Sequence, residues 1–224
     1  MSDNKTAIVL GATGLVGSNL VQLLLEDRTY TQIKLFVRRT TGISDSKIEE
    51  NIVDFNKPET FKAMIAGDTV FSCLGTTIKQ AGSKDAQYKV DFTYQYEFAQ
   101  FASENKVANY ALVSSTSASS KSRIFYSRIK GELEEAVQKL DFSVIRIIRP
   151  GILNGEREEK RLGETIGIKI ADFLGKVIPP LKKYRSIKGA EVAKAMINSV
   201  EIKSPNITET YELEQVFSLA INTK

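Results

Sequence analysis

Three glycines, Gly11, Gly14 and Gly17, stand three residues apart directly after the apolar run Ala7-Ile8-Val9-Leu10. A short continuous apolar run with β-branched members suits a strand buried on both faces, as in a parallel sheet. The segment after Gly17, SNLVQLLLEDR, spaces Leu20, Val21, Leu23, Leu24 and Leu25 for a helix packed on that sheet. Each glycine between them has a physical task. One permits the tight turn, another lets backbone approach a pyrophosphate, and the third lets the helix close on the strand. Free amides at the helix N-terminus then face the phosphates. A glycine triplet alone is a weak signal, and its place in a first strand–helix unit makes it a strong one.

The alternation continues along the chain. Strands are expected at 33–37, 51–55, 69–73, 110–113 and 142–148, with helices at 58–66, 90–105 and 125–139. This order predicts an α/β fold, a Rossmann-like doubly wound parallel sheet with right-handed crossovers and helices on both faces. After Pro150 the pattern loosens into two or three helices and one late strand near Thr210 to Leu213. The expected organisation is a single domain, 1–224. Residues 1–150 form the cofactor-binding core, and 151–224 a small, mostly helical substrate-side extension. The run SSTSASSKS, 114–122, resembles a serine-rich linker in composition. It follows a buried strand and precedes a strong helix, so a ligand-binding loop at a strand end is the preferred reading.

Composition narrows the chemistry. The 224 residues include no histidine, one cysteine and no tryptophan. A Ser-His-Asp hydrolase and a His/Cys zinc site are therefore excluded. The general acid or base must be Tyr, Lys, Asp, Glu or Cys73. Cys73 ends an apolar strand and reads as a buried, inert thiol. A net charge of +4 offers little support for nucleic-acid binding. No signal peptide and no apolar run of membrane-spanning length is visible, so the expectation is a cytoplasmic protein without membrane association.

Two further clusters carry chemistry. The second strand ends in Val37-Arg38-Arg39-Thr40-Thr41, where NAD-binding folds usually place an acidic residue for the ribose hydroxyls. Arg38 and Arg39 suit the 2′-phosphate of NADP(H), which makes NADP(H) the expected cofactor. Tyr126 and Lys130 form Y-x-x-x-K inside a predicted helix and so share one face. An ammonium there would favour ionisation of the phenol and reach the nicotinamide ribose, leaving Tyr126 the best acid–base candidate. A hydroxyl from Ser114-Ser115-Thr116 could bond a substrate carbonyl; Ser115 is favoured, with its neighbours as alternatives.

In order, GATGLVG, VRR, CLGTT, VSS, YSRIKGE and IIRPGIL make the chain resemble the atypical short-chain dehydrogenase/reductase superfamily. Within it the chain is most similar to the oxidoreductase family of the HIV-1 Tat-interacting protein and its bacterial relatives. CLGTT followed by Asp91 in YKVDFTY is the most family-specific part. The resemblance implies that Gly11, Ala12, Thr13, Gly14, Leu15 and Val16 wrap the diphosphate and that Arg38 and Arg39 hold the NADP phosphate. Asp54 and Phe55 would flank the adenine, and Leu74, Gly75 and Thr76 would lie along the cofactor. Tyr126 and Lys130 would be the active-site pair, and Pro150, Gly151, Ile152 and Leu153 would lie near the nicotinamide. Many superfamily members carry an asparagine near the position of Asp91 in a proton relay, and the aspartate puts that relay in doubt. Members often dimerise through the helices at 90–105 and 125–139, so a homodimer is an expectation.

The combined expectation is an NADP(H)-dependent oxidoreductase acting on a small carbonyl or alcohol substrate, with Tyr126 as acid/base. Alternatives are an NAD(P)-using epimerase or dehydratase, and a redox sensor that regulates a partner protein. The cluster Lys176, Lys182, Lys183 and Arg185 reads as a solvated face, or as a rim attracting an anionic substrate. The mixed-sign run 157–161 reads as surface.

Overall fold

The structure, a computed structural model, describes residues 4–154 and 185–221. Strand β1 (Lys5–Leu10) is an interior strand of the sheet, paired in parallel with β2 (Tyr30–Val37) and β4 (Thr69–Ser72). Ala7, Ile8, Val9 and Leu10 are all fully buried. Ala7 and Val9 join one core and Ile8 and Leu10 the other, as the two-residue period of a strand requires. A continuous apolar run therefore marks a strand covered on both sides. With β3 (Ile48–Ile52), β5 (Asn109–Val113), β6 (Val144–Arg149) and β9 (Thr208–Glu212), the sheet has seven parallel strands in the order β3-β2-β1-β4-β5-β6-β9. A short pair, β7 (Leu153–Asn154) with β8 (Ile187–Lys188), stands apart from it.

Helices α1 (Leu15–Glu26), α6 (Gly189–Glu201) and α7 (Glu214–Ile221) cover one face. Leu20, Leu24, Val192, Met196 and Phe217 form its core with Val9 and Leu35. Helices α4 (Tyr94–Glu104) and α5 (Phe125–Val137) cover the other, through Phe98, Ala102, Leu133 and Val137. Two short helices, α2 (Ile78–Ala81) and α3 (Lys84–Tyr88), precede α4.

Four local expectations are revised. The third strand spans Ile48–Ile52, not 51–55, in register with β2 from Ile33↔Ile48 to Val37↔Ile52. It is an edge strand, so its polar IEENI sequence needs no continuous apolar run. The 58–66 segment forms two 3-10 turns, Pro58–Thr60 and Lys62–Met64, that direct Phe61 and Ile65 into the core. The 90–105 helix opens with a π-helical turn, Lys89–Thr93. The crossover rule also has an exception. Helix α6 leads from β6 outward to β9 yet packs on the α1 face, opposite to α4 and α5. This gives the final connection the reverse hand. Gly189 lets α6 close on α1, because a Cβ there would stand 2.5 Å from the Leu15 carbonyl oxygen.

Within 151–224, residues 189–221 supply a core helix, the seventh strand and α7. Buried Arg146 ties them in, donating to the carbonyls of Ser199, Ile202 and Ile207 at 2.9–3.1 Å. The mixed-sign run 157–161 and the lysines 176, 182 and 183 lie outside the described residues. Arg185 ion-pairs with Glu214 at 3.1 Å and stacks on Phe217 at 3.6 Å.

Candidate cofactor and active site

The candidate residues line the carboxyl ends of the strands. Gly11 follows β1, Arg38 follows β2, Leu74 follows β4, Ser114 follows β5 and Pro150 follows β6. Between β1 and β4 the strand order reverses direction, which is where open α/β sheets bind ligands.

The glycine turn divides its work by position. Gly11 adopts φ +86°, and a Cβ on it would lie 2.7 Å from the backbone of Cys73 and Leu74. Gly17 abuts the same turn, with an added Cβ only 2.1 Å from the Gly11 carbonyl oxygen. Gly14 is different: it is exposed, and its added Cβ would come no closer than 3.4 Å to that oxygen. It is the N-cap of α1, with no side-chain cap and no acidic residue in the first turn. Amides at this end are thus uncommitted to side chains and suited to an anion. Thr13 is exposed beside it, Leu15 is half-buried, and Ala12 and Val16 are buried supports.

Arg38 and Arg39 are both exposed, and neither forms an ion pair among the described residues. The following turn is pinned by Glu50, whose carboxylate accepts from the Thr41 amide at 2.8 Å and from its hydroxyl. Those bonds hold the Glu50 carboxyl below its usual range. Asp54 is exposed, with one oxygen accepting from the Asn56 backbone and side chain. Phe55 is buried, its ring against Phe61 and Tyr94, so its side chain belongs to the core.

Helix α5 brings the second cluster. Tyr126 is 40% exposed, whereas Lys130, one turn on, is buried with its Nζ 6.0 Å from the Tyr126 ring centre. Lys130 pairs instead with Asp91 at 3.1 Å. Burial disfavours its charge, but the Asp91 carboxylate, with Tyr126 and Glu134, outweighs that and holds Lys130 above the usual lysine range. The other Asp91 oxygen accepts from the Thr76 amide at 3.1 Å, and exposed Gly75 lies over the pair. The residue that neutralises Lys130 is a partner that helix spacing alone did not indicate.

The serine run is not a linker. Ser114 is buried and donates to Glu134, which Arg149 bridges to Glu212. Ser119 donates its amide to the Ser127 carbonyl at 2.9 Å. The loop lies so close to α5 that a Cβ on Gly131 would be 2.1 Å from the Ser120 nitrogen. Ser114 is thereby committed to structure. Half-buried Ser115 shares a hydroxyl bond with Ser117 at 3.1 Å, which Ser127 also meets at 3.0 Å. Thr116 donates its amide to the Pro150 carbonyl at 3.4 Å, which ties this loop to the next. Gly151 and Leu153 are half-buried, and Ile152 is 41% exposed. Cys73 is half-buried against Met196 and is pushed up to about 12 by desolvation, as befits an inert thiol.

The site fits a dinucleotide: open amides and an exposed glycine for phosphates, exposed guanidiniums one strand over, and a buried ammonium beside an exposed phenol. A family model described as NAD(P)H-binding matches residues 11–202. The "Protein fmp52, mitochondrial" of Emericella nidulans is 34% identical over 198 residues, 85% of each chain. The "Protein HTATIP2" of Rattus norvegicus is 29% identical over 220 residues, 96% of this chain and 89% of that protein. Among solved structures, the Bordetella bronchiseptica enzyme WbmH in complex with NAD+ superposes with a TM-score of 0.70 at 13% identity, covering 93% of this chain and 75% of that one. The oxidoreductase ylbE from Lactococcus lactis gives 0.55 at 22% identity, covering 68% and 71%. The structural likenesses show the fold, and the sequence matches show the kinship. The chain belongs to the NAD(P)H-binding family of the atypical short-chain dehydrogenases/reductases.

Proposed function

We propose that the protein is an NADP(H)-dependent oxidoreductase that interconverts a small carbonyl compound and its alcohol. The observation that carries this reading is the exposed Tyr126 phenol above a buried Lys130 ammonium, at the sheet edge where the glycine turn is open. Gly11–Val16 and Leu74–Thr76 would hold the diphosphate and its neighbouring ribose. Arg38 and Arg39 would take the 2′-phosphate as charge-assisted donors, which supports NADP(H) over NAD(H). When bound, the nicotinamide supplies or accepts the hydride.

The chain's own residues handle the proton. In the reducing direction Tyr126 Oη gives its proton to the substrate oxygen, and in the oxidising direction it takes that proton back. Ser115 Oγ donates a hydrogen bond to the same oxygen and fixes the carbonyl beside the phenol. Lys130 remains an ammonium and anchors the ribose hydroxyls. Pro150–Leu153, with exposed Ile152, would border the reacting end. A homodimer through α4 and α5 is part of the reading, tested by sedimentation velocity.

The direct experiment is NADPH oxidation against a panel of aldehydes, ketones and quinones. Turnover that disappears in Tyr126→Phe supports the proposal. NADPH binding without any Tyr126-dependent turnover favours the sensor reading. NAD(P) that co-purifies and undergoes no net turnover favours an epimerase or dehydratase.

A further inference from the structure

We propose that Asp91 is the positioning residue for Lys130: its carboxylate holds the ammonium beneath the Leu74–Thr76 loop, so that cofactor binding depends on the pair rather than on the lysine alone. The inference rests on the oxidoreductase reading for its functional consequence, but the coupling of the two residues stands on geometry. Both side chains are almost completely enclosed, 5% and 1% exposed, at 3.1 Å. A buried ammonium without a counter-charge is costly, so removal of the carboxylate would expel, reorient or neutralise the lysine.

The local backbone is shaped to present this carboxylate. Asp91 sits inside the π-helical turn Lys89–Thr93, and such turns often occur at functional sites. Gln95 donates to the Asp91 carbonyl at 2.8 Å and itself accepts from Ser72 at 2.8 Å. The turn is thus fastened to the end of β4. One carboxylate oxygen takes the Thr76 amide and the other faces Lys130, so a single side chain fixes the cofactor loop and the ammonium together. Gly75 completes the arrangement, because a Cβ there would lie 3.2 Å from Asp91 Oδ1 and 3.8 Å from Lys130 Nζ. An asparagine could accept the Thr76 amide but could not neutralise the ammonium. The aspartate therefore has an electrostatic task that a neutral relay residue does not.

The groups facing Lys130 are Asp91 from the π turn, Tyr126 and Glu134 from its own helix, and Cys73 from the end of β4. Replacing Asp91 removes the largest opposing charge, and burial then dominates and lowers the lysine's proton affinity. In Asp91→Asn, NADPH affinity should fall about tenfold or more at pH 8 and recover toward pH 6. Its alkaline loss should begin at least about one pH unit earlier than in the wild type. A purely structural role would weaken binding equally at all pH values. Fluorescence titration with NADPH from pH 6 to 9.5 measures this without turnover. In a Lys130→Met background, Asp91→Asn should cost no further NADPH affinity.

Thermal melts supply the readout that does not depend on the cofactor. Asp91→Asn should lower Tm by about 5 °C or more, and adding Lys130→Met should restore at least about half of that. If Asp91→Asn does not fold while the double variant does, the coupling is upheld. The proposal is overturned if Asp91→Asn binds NADPH as the wild type does at every pH. It is equally overturned if the loss is pH-independent and unchanged by Lys130→Met, or if the melts show no restoration. Wild-type protein that binds neither NADPH nor NADH would defeat the oxidoreductase reading instead, and the melts would still judge the Asp91–Lys130 coupling.

Discussion

Along the carboxyl edge of the sheet, the Gly11–Gly17 turn is made by backbone within one strand–helix joint, whereas the Tyr126–Lys130 site draws on α5, the π turn, the end of β4 and the serine loop. The first works by the absence of side chains and the second by burial of charged ones. Adding a side chain to the first forces atoms into occupied space, and removing one from the second leaves a charge or a donor without its partner. The two regions should therefore fail differently when perturbed.

Gly17→Ala should produce the largest effect, because its Cβ would meet the Gly11 carbonyl at 2.1 Å, where backbone cannot yield. Loss of about 3 kcal/mol or more, or failure to accumulate folded protein, is expected in denaturant titrations. Gly14→Ala sharpens the contrast. At 3.4 Å its methyl group fits the apo fold, so stability should change by less than about 1 kcal/mol while NADPH affinity drops. Equal destabilisation by both substitutions would break the division of labour among the glycines.

At the second region, Tyr126→Phe should lower turnover by about 10²–10⁴-fold while Tm stays near that of the wild type, since the side chain is exposed. A large fall in Tm would instead make the phenol structural. Between the two regions, Arg38→Ala with Arg39→Ala should reduce the preference for NADPH over NADH by about 10–100-fold, with little change in stability. Paired binding titrations with the two cofactors check this, and an unchanged ratio would remove the arginines from phosphate recognition.

The smallest effect concerns Cys73. Unfolded, its thiol loses a proton near pH 9, and folded it keeps the proton to about 12. Its contribution is fully present below pH 9 and is lost as pH rises across that window, because the unfolded state alone releases a proton there. Denaturant midpoints at pH 8 and 10.5 should fall less steeply in Cys73→Ala than in the wild type. Alkylation of the native thiol at pH 8 should also be much slower than in urea.

Much of the sheet was readable because central strands buried on both faces carry unbroken apolar runs, as β1 does through Ala7–Leu10. The edge strand β3 is not legible in the same way, because IEENI has no such run and its register is set by β2. The 58–66 stretch differs in a related way: Phe61 and Ile65 are core members, but they reach the core from 3-10 turns rather than from one helix. In the site, Tyr126 and Lys130 could be paired from their spacing on one helix. Ser114 could not be separated from Ser115 without knowing that Glu134 claims it. Gln95 carried only the faint signal of an amide four residues after Asp91.

What the chain determined by itself was local: the glycine turn, the strand–helix alternation, the paired arginines at a strand end, and the exclusion of imidazole chemistry. These depend on covalent neighbours, side-chain volume and period, which are properties of sequence. Tertiary structure decided the rest. It folded residues 189–221 back as a core helix and a seventh strand, reversed the hand of the last connection, and placed a carboxylate against Lys130. Those outcomes depend on which buried surfaces and charges find each other across the fold. Neither desolvation nor ion pairing between distant elements has a local period to read.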